Sequence, residues 1–265
     1  MLNLNLNRFT LSLALCGLLA ACSTAPKIAG YQVNQIEAEG QNSRVRHIVL
    51  HYTAIDTPTS LKILTQKNVS SHYLITDEQP PKLYQLVPET NRAWHAGLSN
   101  WQNYSDLNTS SIGIEIVNAG RKEDGSWQPY SADQIAMVKA LVRDIAERHQ
   151  VAPVNIVGHS DIAPQRKIDP GPLFPWAELA AEGLGRWYNP TDVYNQHAML
   201  ELSDMPSYSE IQQLLKSAGY TVPLHGQWDT ESQKVMAAFQ MHYRPARYDG
   251  IPDTESIAIL KALPK

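Results

Sequence analysis

Three residues placed far apart in this chain have the chemistry of a divalent-metal site. His51 lies inside the apolar run IVLHYT, and His159 and Asp169 stand ten positions apart within HSDIAPQRKIDPG, residues 159–171. Two imidazoles and a carboxylate, with water in the fourth position, make a catalytic zinc donor set. Glu115, in the apolar run IGIEIV, adds a carboxylate that is costly to bury without a charged partner. Taken singly, Glu115 reads either as a structural ion-pair partner or as a group kept for chemistry. His51 alone reads either as a hydrogen-bonded core histidine or as a ligand. No compact signature such as HExxH frames the set.

The elements that must hold these groups are legible in outline. Pro164 and Pro170 exclude a helix through the 159–171 stretch and keep it out of a central strand, leaving a stiff loop suited to metal ligands. VRHIVLHYT (45–53) and SSIGIEIVN (110–118) are apolar on both faces, as buried strands are. SHYLIT (71–76) and KLYQLV (82–87) flank DEQPP as a hairpin, and VNIVG (154–158) is a short strand that ends at His159. Thr57 and Pro58 predict the start of a short helix, with Thr57 as its cap. Ser131 and Gln134 form a capping box ahead of Ile135, Val138, Leu141, Val142 and Ile145 at helical spacing. A further helix is expected over 176–188.

Strands alternating with helices predict an α/β catalytic domain over 43–188, a central mixed sheet with flanking helices. Residues 189–206 read as a linker. From 207 to 265 the pattern predicts a small three-helix module. Ser207 and Glu210 cap its first helix and Gly219 ends it, and GQWDTES (226–232) and GIPDTES (250–256) repeat with an Asp cap before each later helix. The module holds no cluster of potential catalytic groups and reads as a binding module, with His225 and His242 on its surface.

The first residues describe an address. Arg8 precedes an apolar run from Phe9 to Ala21, too short to span a bilayer, which takes about 20 residues, and suited to a secretory signal. LAAC, residues 19–22, resembles a bacterial lipobox. It implies a signal peptide over 1–21, a lipidated Cys22, a tether over 22–42 and, with Ser23 after the cysteine, an outer-membrane lipoprotein facing the periplasm. Cys16 and Cys22 are the only cysteines, so the mature chain has no disulfide and no thiol nucleophile. A net charge of −4 argues against a nucleic-acid partner.

The motifs VLHYTA, SSHYLIT, WHAG, IGIEI, GHSDIAPQRKIDPGPLFPW and AFQMHYRP resemble the zinc-dependent N-acetylmuramoyl-L-alanine amidases, related to phage lysozyme-amidases and peptidoglycan recognition proteins. The resemblance covers nearly all of the mature chain, and its 158–176 string is the most specific part. It implies Zn2+ held by His51, His159 and Asp169, Glu115 as the catalytic carboxylate, and Lys167 as its cationic partner. It implies peptidoglycan and muropeptides as partners and hydrolysis of the amide between N-acetylmuramic (or anhydro-N-acetylmuramic) acid and L-alanine. By the same resemblance Trp94 and His95 line the substrate groove, the other reading of the pair being a structural turn. Arg166, beside Lys167, is a candidate contact for a peptide carboxylate. His47, on the same strand face as His51, is expected to be structural or on the rim of the site, and His72 to lie near the site or in the packing. The rival reading is a non-catalytic peptidoglycan-binding receptor on the same fold. Receptors of that kind commonly lack a ligand, and all three are present here. A peptidase acting within the stem peptide is the third reading.

Overall fold

The structure, a computed structural model, describes residues 27–264. The signal segment and Cys22 lie outside the described residues. Residues up to Gln41 and those from Asn42 onward form separate units. In the first, β1 (Lys27–Ile28) pairs antiparallel with β2 (Tyr31–Gln32).

The second unit is organised around five strands in the order β5-β4-β8-β3-β9. These are β3 (His47–Tyr52), β4 (Tyr73–Ile75), β5 (Leu83–Gln85), β8 (Ser111–Ile116) and β9 (Ile156–Gly158). Strands β4, β8, β3 and β9 run parallel and β5 closes one edge antiparallel, so the sheet is mixed. A separate hairpin joins β6 (Asn100–Trp101) to β7 (Tyr104–Ser105).

One face of the sheet is a conventional core. Ile48, Leu50, Ile112, Ile114 and Ile116 pack against Ile135, Val138, Val142 and Ile145 of α2 (Ala132–His149). Ile114 is fully buried, and burial of one such side chain contributes about 1.5–3 kcal/mol. The Ser131–Gln134 capping box starts α2, and the Gln134 amide also donates to the carbonyls of Thr76 and Val117. The other face is partly covered by α1 (Thr57–Leu64), whose Leu64 meets Leu74 and Val117. The cap of α1 is Asp56 rather than Thr57, because the Asp56 carboxylate reaches the Thr59 N–H.

The prolines of 159–171 shape the loop differently from expectation at one end. α3 (His159–Ile162) is a single helical turn that stops two residues before Pro164, the distance at which proline ceases to clash with a helix. α4 (Trp176–Ala181) is shorter than the helix expected over 176–188, since Gly183 adopts a left-handed φ of 76° and ends it. The segment read as a linker holds α5 (Pro190–Glu201), capped by the Asn189 side chain with Pro190 preset at its first position.

Three helices follow: α6 (Tyr208–Ala218), α7 (Thr230–Tyr243) and α8 (Thr254–Ala262). The repeat is visible in their contacts. Gln212 accepts from the Gly226 N–H and donates to Ser232, and Gln240 accepts from the Gly250 N–H and donates to Ser256. The module does not have a core of its own. One cluster runs from Val49, Val157 and Ile162 beneath the sheet through Trp101 and Tyr220 to Leu215 and Phe239. His242 is therefore buried, whereas His225 is on the surface beside Asp229. Helical periodicity marks one apolar face, and α7 has a second face turned to the sheet domain.

Candidate active site

Strand register assembles the first half of the site. In the parallel pair β3–β8, His51 stands beside Glu115. Both side chains leave the sheet on the face opposite the isoleucines, near the carboxyl ends of the strands, where open α/β sheets bind their ligands. β9 delivers the second half, since His159 follows Gly158 directly and opens α3. The loop then turns back, and the Ser160 N–H donates to the Asp169 carbonyl at 2.8 Å, which ties the two ends together.

His51, His159 and Asp169 converge. Their donor atoms, His51 Nδ1, His159 Nδ1 and Asp169 Oδ2, are 2.9, 3.1 and 3.1 Å apart. Bonds of about 2.0–2.2 Å from a tetrahedral ion would space such donors by roughly 3.3 Å, so the set fits a small divalent cation. All three residues are buried. Burial and the neighbouring His159 push His51 down to about 4, so its imidazole is a neutral donor at pH 7. Burial alone would raise Asp169, but the adjacent His159 and His51 imidazoles hold it well below the usual carboxylate range.

The backs of both imidazoles are fixed by one loop. His159 Nε2 donates to the Ala96 carbonyl at 3.1 Å, which leaves the Nδ1 lone pair facing the metal position. His51 Nε2 donates to His95 Nδ1 at 3.0 Å, and His95 Nε2 in turn faces Ser111 Oγ at 3.2 Å. The side-chain oxygen of Asn108 accepts from the N–H groups of both His95 and Ala96. Such outer partners set which ring nitrogen carries the proton. The His95 ring lies against Gly113 of β8, where an added Cβ would approach within 2.4 Å of it. A glycine in the middle of a buried strand is a signal of close approach, but nothing in the sequence joins it to His95 or Asn108.

Glu115 borders the same cavity of about 340 Å³, with Lys167 and Trp94 also in its wall. One Glu115 oxygen is buried without a hydrogen-bond partner. Burial, and then the negative charge of Asp169, raise its carboxyl to about 8, against the pull of Lys167. Trp94 is 51% exposed on the rim, near Ile63, Val69 and Ile168. Arg166 borders the cavity too, but its guanidinium donates to the carbonyls of Ala96 and Leu98. His47 is buried against Tyr104, away from the three ligands. His72 packs edge-on to His95 and accepts from the Gly113 N–H.

Comparison with known proteins agrees with this geometry. Residues 41–172 match the N-acetylmuramoyl-L-alanine amidase family, and residues 204–260 match a peptidoglycan binding domain. N-acetylmuramoyl-L-alanine amidase AmiD of Escherichia coli K12 is 40% identical, over 97% of this chain and 98% of its own length. Among solved structures, AmpDH3 of Pseudomonas aeruginosa, in complex with an anhydromuramic pentapeptide, superposes with a TM-score of 0.81. It is 38% identical and the match covers 90% of this chain and 97% of that one. The E. coli AmiD complex with anhydro-N-acetylmuramic acid-L-Ala-D-gamma-Glu-L-Lys gives 0.79 at 39% identity, over 91% and 96% of the two chains. With a group able to hold a metal beside an acid whose inner oxygen is buried, and a relative matching over nearly the whole chain, the chain belongs to the N-acetylmuramoyl-L-alanine amidase family.

Proposed function

We propose that this chain hydrolyses the amide between N-acetylmuramic acid, or its anhydro form, and the L-alanine of a peptidoglycan stem peptide, with zinc as the cofactor. The observation that carries the reading is the convergence of two imidazole nitrogens and a carboxylate oxygen within 3.1 Å of one another, beside an acid with an unpartnered buried oxygen. The mixed nitrogen and oxygen donor set, with three protein ligands, favours zinc. When bound, zinc supplies Lewis-acid chemistry, acidifying water and polarising a carbonyl.

The rest falls to the chain's own side chains. Glu115 takes a proton from the attacking water and returns it to the amine nitrogen of the departing L-alanine. In the metal-free fold burial raises this carboxyl to about 8, and the positive charge of a bound cation would lower it toward neutral pH, where proton transfer is efficient. The Lys167 ammonium faces the negative charge that develops on the amide oxygen, a role whose loss typically costs about 10²–10³ in rate. Trp94, with Ile63, Val69 and Ile168, offers an apolar rim to the sugar or stem peptide. His95 lies in the wall and holds His51. The names of the relatives, and the muropeptides in their complexes, support peptidoglycan as the substrate.

The same reading places the protein at the outer membrane, on the periplasmic face, anchored by lipid on Cys22. Its support is the sequence LAAC after a short apolar run. Among the described residues no helix is long and apolar enough to cross a membrane.

A muropeptide of anhydromuramic acid and L-Ala-γ-D-Glu-L-Lys tests the chemistry. The expected products by mass analysis are the free sugar and the intact tripeptide, with turnover lost to a chelator and restored by zinc. Release of shorter peptides, or turnover that survives complete metal removal, would refute the proposal.

A further inference from the structure

The loop that carries His159 and Asp169 is held by the C-terminal module directly at two places and through Trp127 at a third. The deepest involves Asp161, which is 1% exposed and lies two residues after His159. Its Oδ2 accepts from the Gly158 N–H at 2.7 Å and from His242 Nδ1 at 2.8 Å, and its Oδ1 accepts from the Tyr220 hydroxyl at 2.6 Å. Gly158 belongs to β9, while Tyr220 and His242 belong to the module. The His242 ring is stacked parallel to Trp176, 3.9 Å between centroids, so it has little room to turn. At the other end of α7, Lys234 Nζ donates to the Gln165 carbonyl and the Gln165 amide donates to the Glu231 carbonyl. The third grip is Trp127, which packs over Gly171 and donates its indole N–H to Tyr248 of the module.

Wall binding alone would not require these contacts. A module that only concentrated the enzyme on its polymer could be joined by a flexible tether and touch nothing. Here one helix runs beside the metal-binding loop and contacts it at both ends. A buried carboxylate with three donors is a fixed point, because freeing it leaves several polar groups unpaired in the core.

We propose that the C-terminal module is a brace for the metal centre. Tyr220 and His242 act through Asp161 as positioning residues that hold His159 in register with His51 and Asp169, independently of any grip on the cell wall. The proposal rests on the reading of those three residues as metal ligands.

The test uses the full chain with Tyr220→Phe, which removes one hydroxyl and keeps the ring. A companion carries Tyr220→Phe with His242→Ala, and a rescue variant carries His242→Gln, which restores a donor toward Asp161. The readouts are zinc affinity by chelator competition, amide hydrogen exchange over residues 158–169 in the zinc-free protein, and sedimentation with purified sacculi. The double variant, folded by circular dichroism, is expected to bind zinc about 10–100-fold more weakly and to exchange faster over 158–169. Tyr220→Phe and His242→Gln should lie between it and the parent, and sacculus binding should be unchanged in all. Parental zinc affinity and parental exchange in folded Tyr220→Phe and folded double variant would overturn the brace. A parent without zinc affinity would overturn the metal reading instead, and the exchange data on the same variants would still decide the brace.

Discussion

Alternate residues of β3 and β8 face opposite ways and share almost no chemistry. Ile48, Leu50, Ile112 and Ile114 face α2 and behave as any core does. His51 and Glu115, interleaved with them and matched in register, border the cleft, while Val49 and Gly113 on the same side pack against the module's apolar cluster and the His95 ring. The first face buries groups that make no demands beyond volume. The second buries groups that each need a particular partner, and it obtains them from loops and from helices remote in sequence. Packing tolerates approximate fit, whereas a ligand triad needs positions fixed to fractions of an ångström. The same two strands thus provide both stability and chemistry, divided by the period of two.

Substitutions on each face can break this division. The largest effect is expected from His159→Ala, which removes a ligand and should abolish both zinc binding and turnover. Glu115→Ala should retain zinc while turnover falls by about 10²–10⁴. Metal content and muropeptide hydrolysis measured on the same samples separate the two, and substantial turnover in Glu115→Ala would remove that carboxylate from the mechanism. On the other face Ile114→Ala should cost about 2–5 kcal/mol in denaturant unfolding, with near-parental turnover per folded molecule. A specific loss of zinc affinity in that variant would show that the faces are not separable.

Gly113 sharpens the comparison, being a small residue on the demanding face. Its replacement by Ala would drive the new methyl into the His95 ring. The expected cost is about 1–3 kcal/mol, together with weaker zinc binding through the displaced His51. Unfolding and chelator competition would report the two parts.

The last effect is one of pH, read on stability alone. Glu115 is raised to about 8 in the metal-free fold, against an ordinary value of about 4.3 in the unfolded chain. Between those values the folded state holds a proton that the unfolded state has released. Metal-free stability is therefore drawn down as pH rises from about 5 to 8. Glu115→Gln removes this contribution, so its stability relative to the parent should grow across that window. A difference that stays flat with pH would mean that burial does not hold the proton on Glu115.

Much of this division can be read in the residues themselves. His51 and Glu115 stand out because each interrupts an apolar strand, and the Asp caps of α7 and α8 stand out because the motif GxxDTES repeats. What surrounds the site is far less visible. His95 shares no spacing with His51, and its relation to Gly113 exists only once β8 is in the sheet. Asn108 and the Ala96 carbonyl are ordinary until the loop folds over the two imidazoles. His242 looks like a surface residue because helical periodicity registers one buried face, whereas α7 is buried on two. The 189–206 segment gives a weak apolar pattern, so its helix depends on Asn189, Pro190 and contacts made later in the chain. Local chemistry is written locally, and the arrangement of partners across the fold is not.

The unbroken apolar cluster that runs from Val49 to Phe239 also bears on how such chains can be recombined. A targeting module on a free tether can be exchanged like a cassette. In this chain, amputation or replacement of the last three helices would strip the underside of β3 and β9 and leave Asp161 facing solvent. Chimeras would have to carry α6 and α7 along with the hydrolytic half, so the heritable unit is larger than the hydrolytic domain.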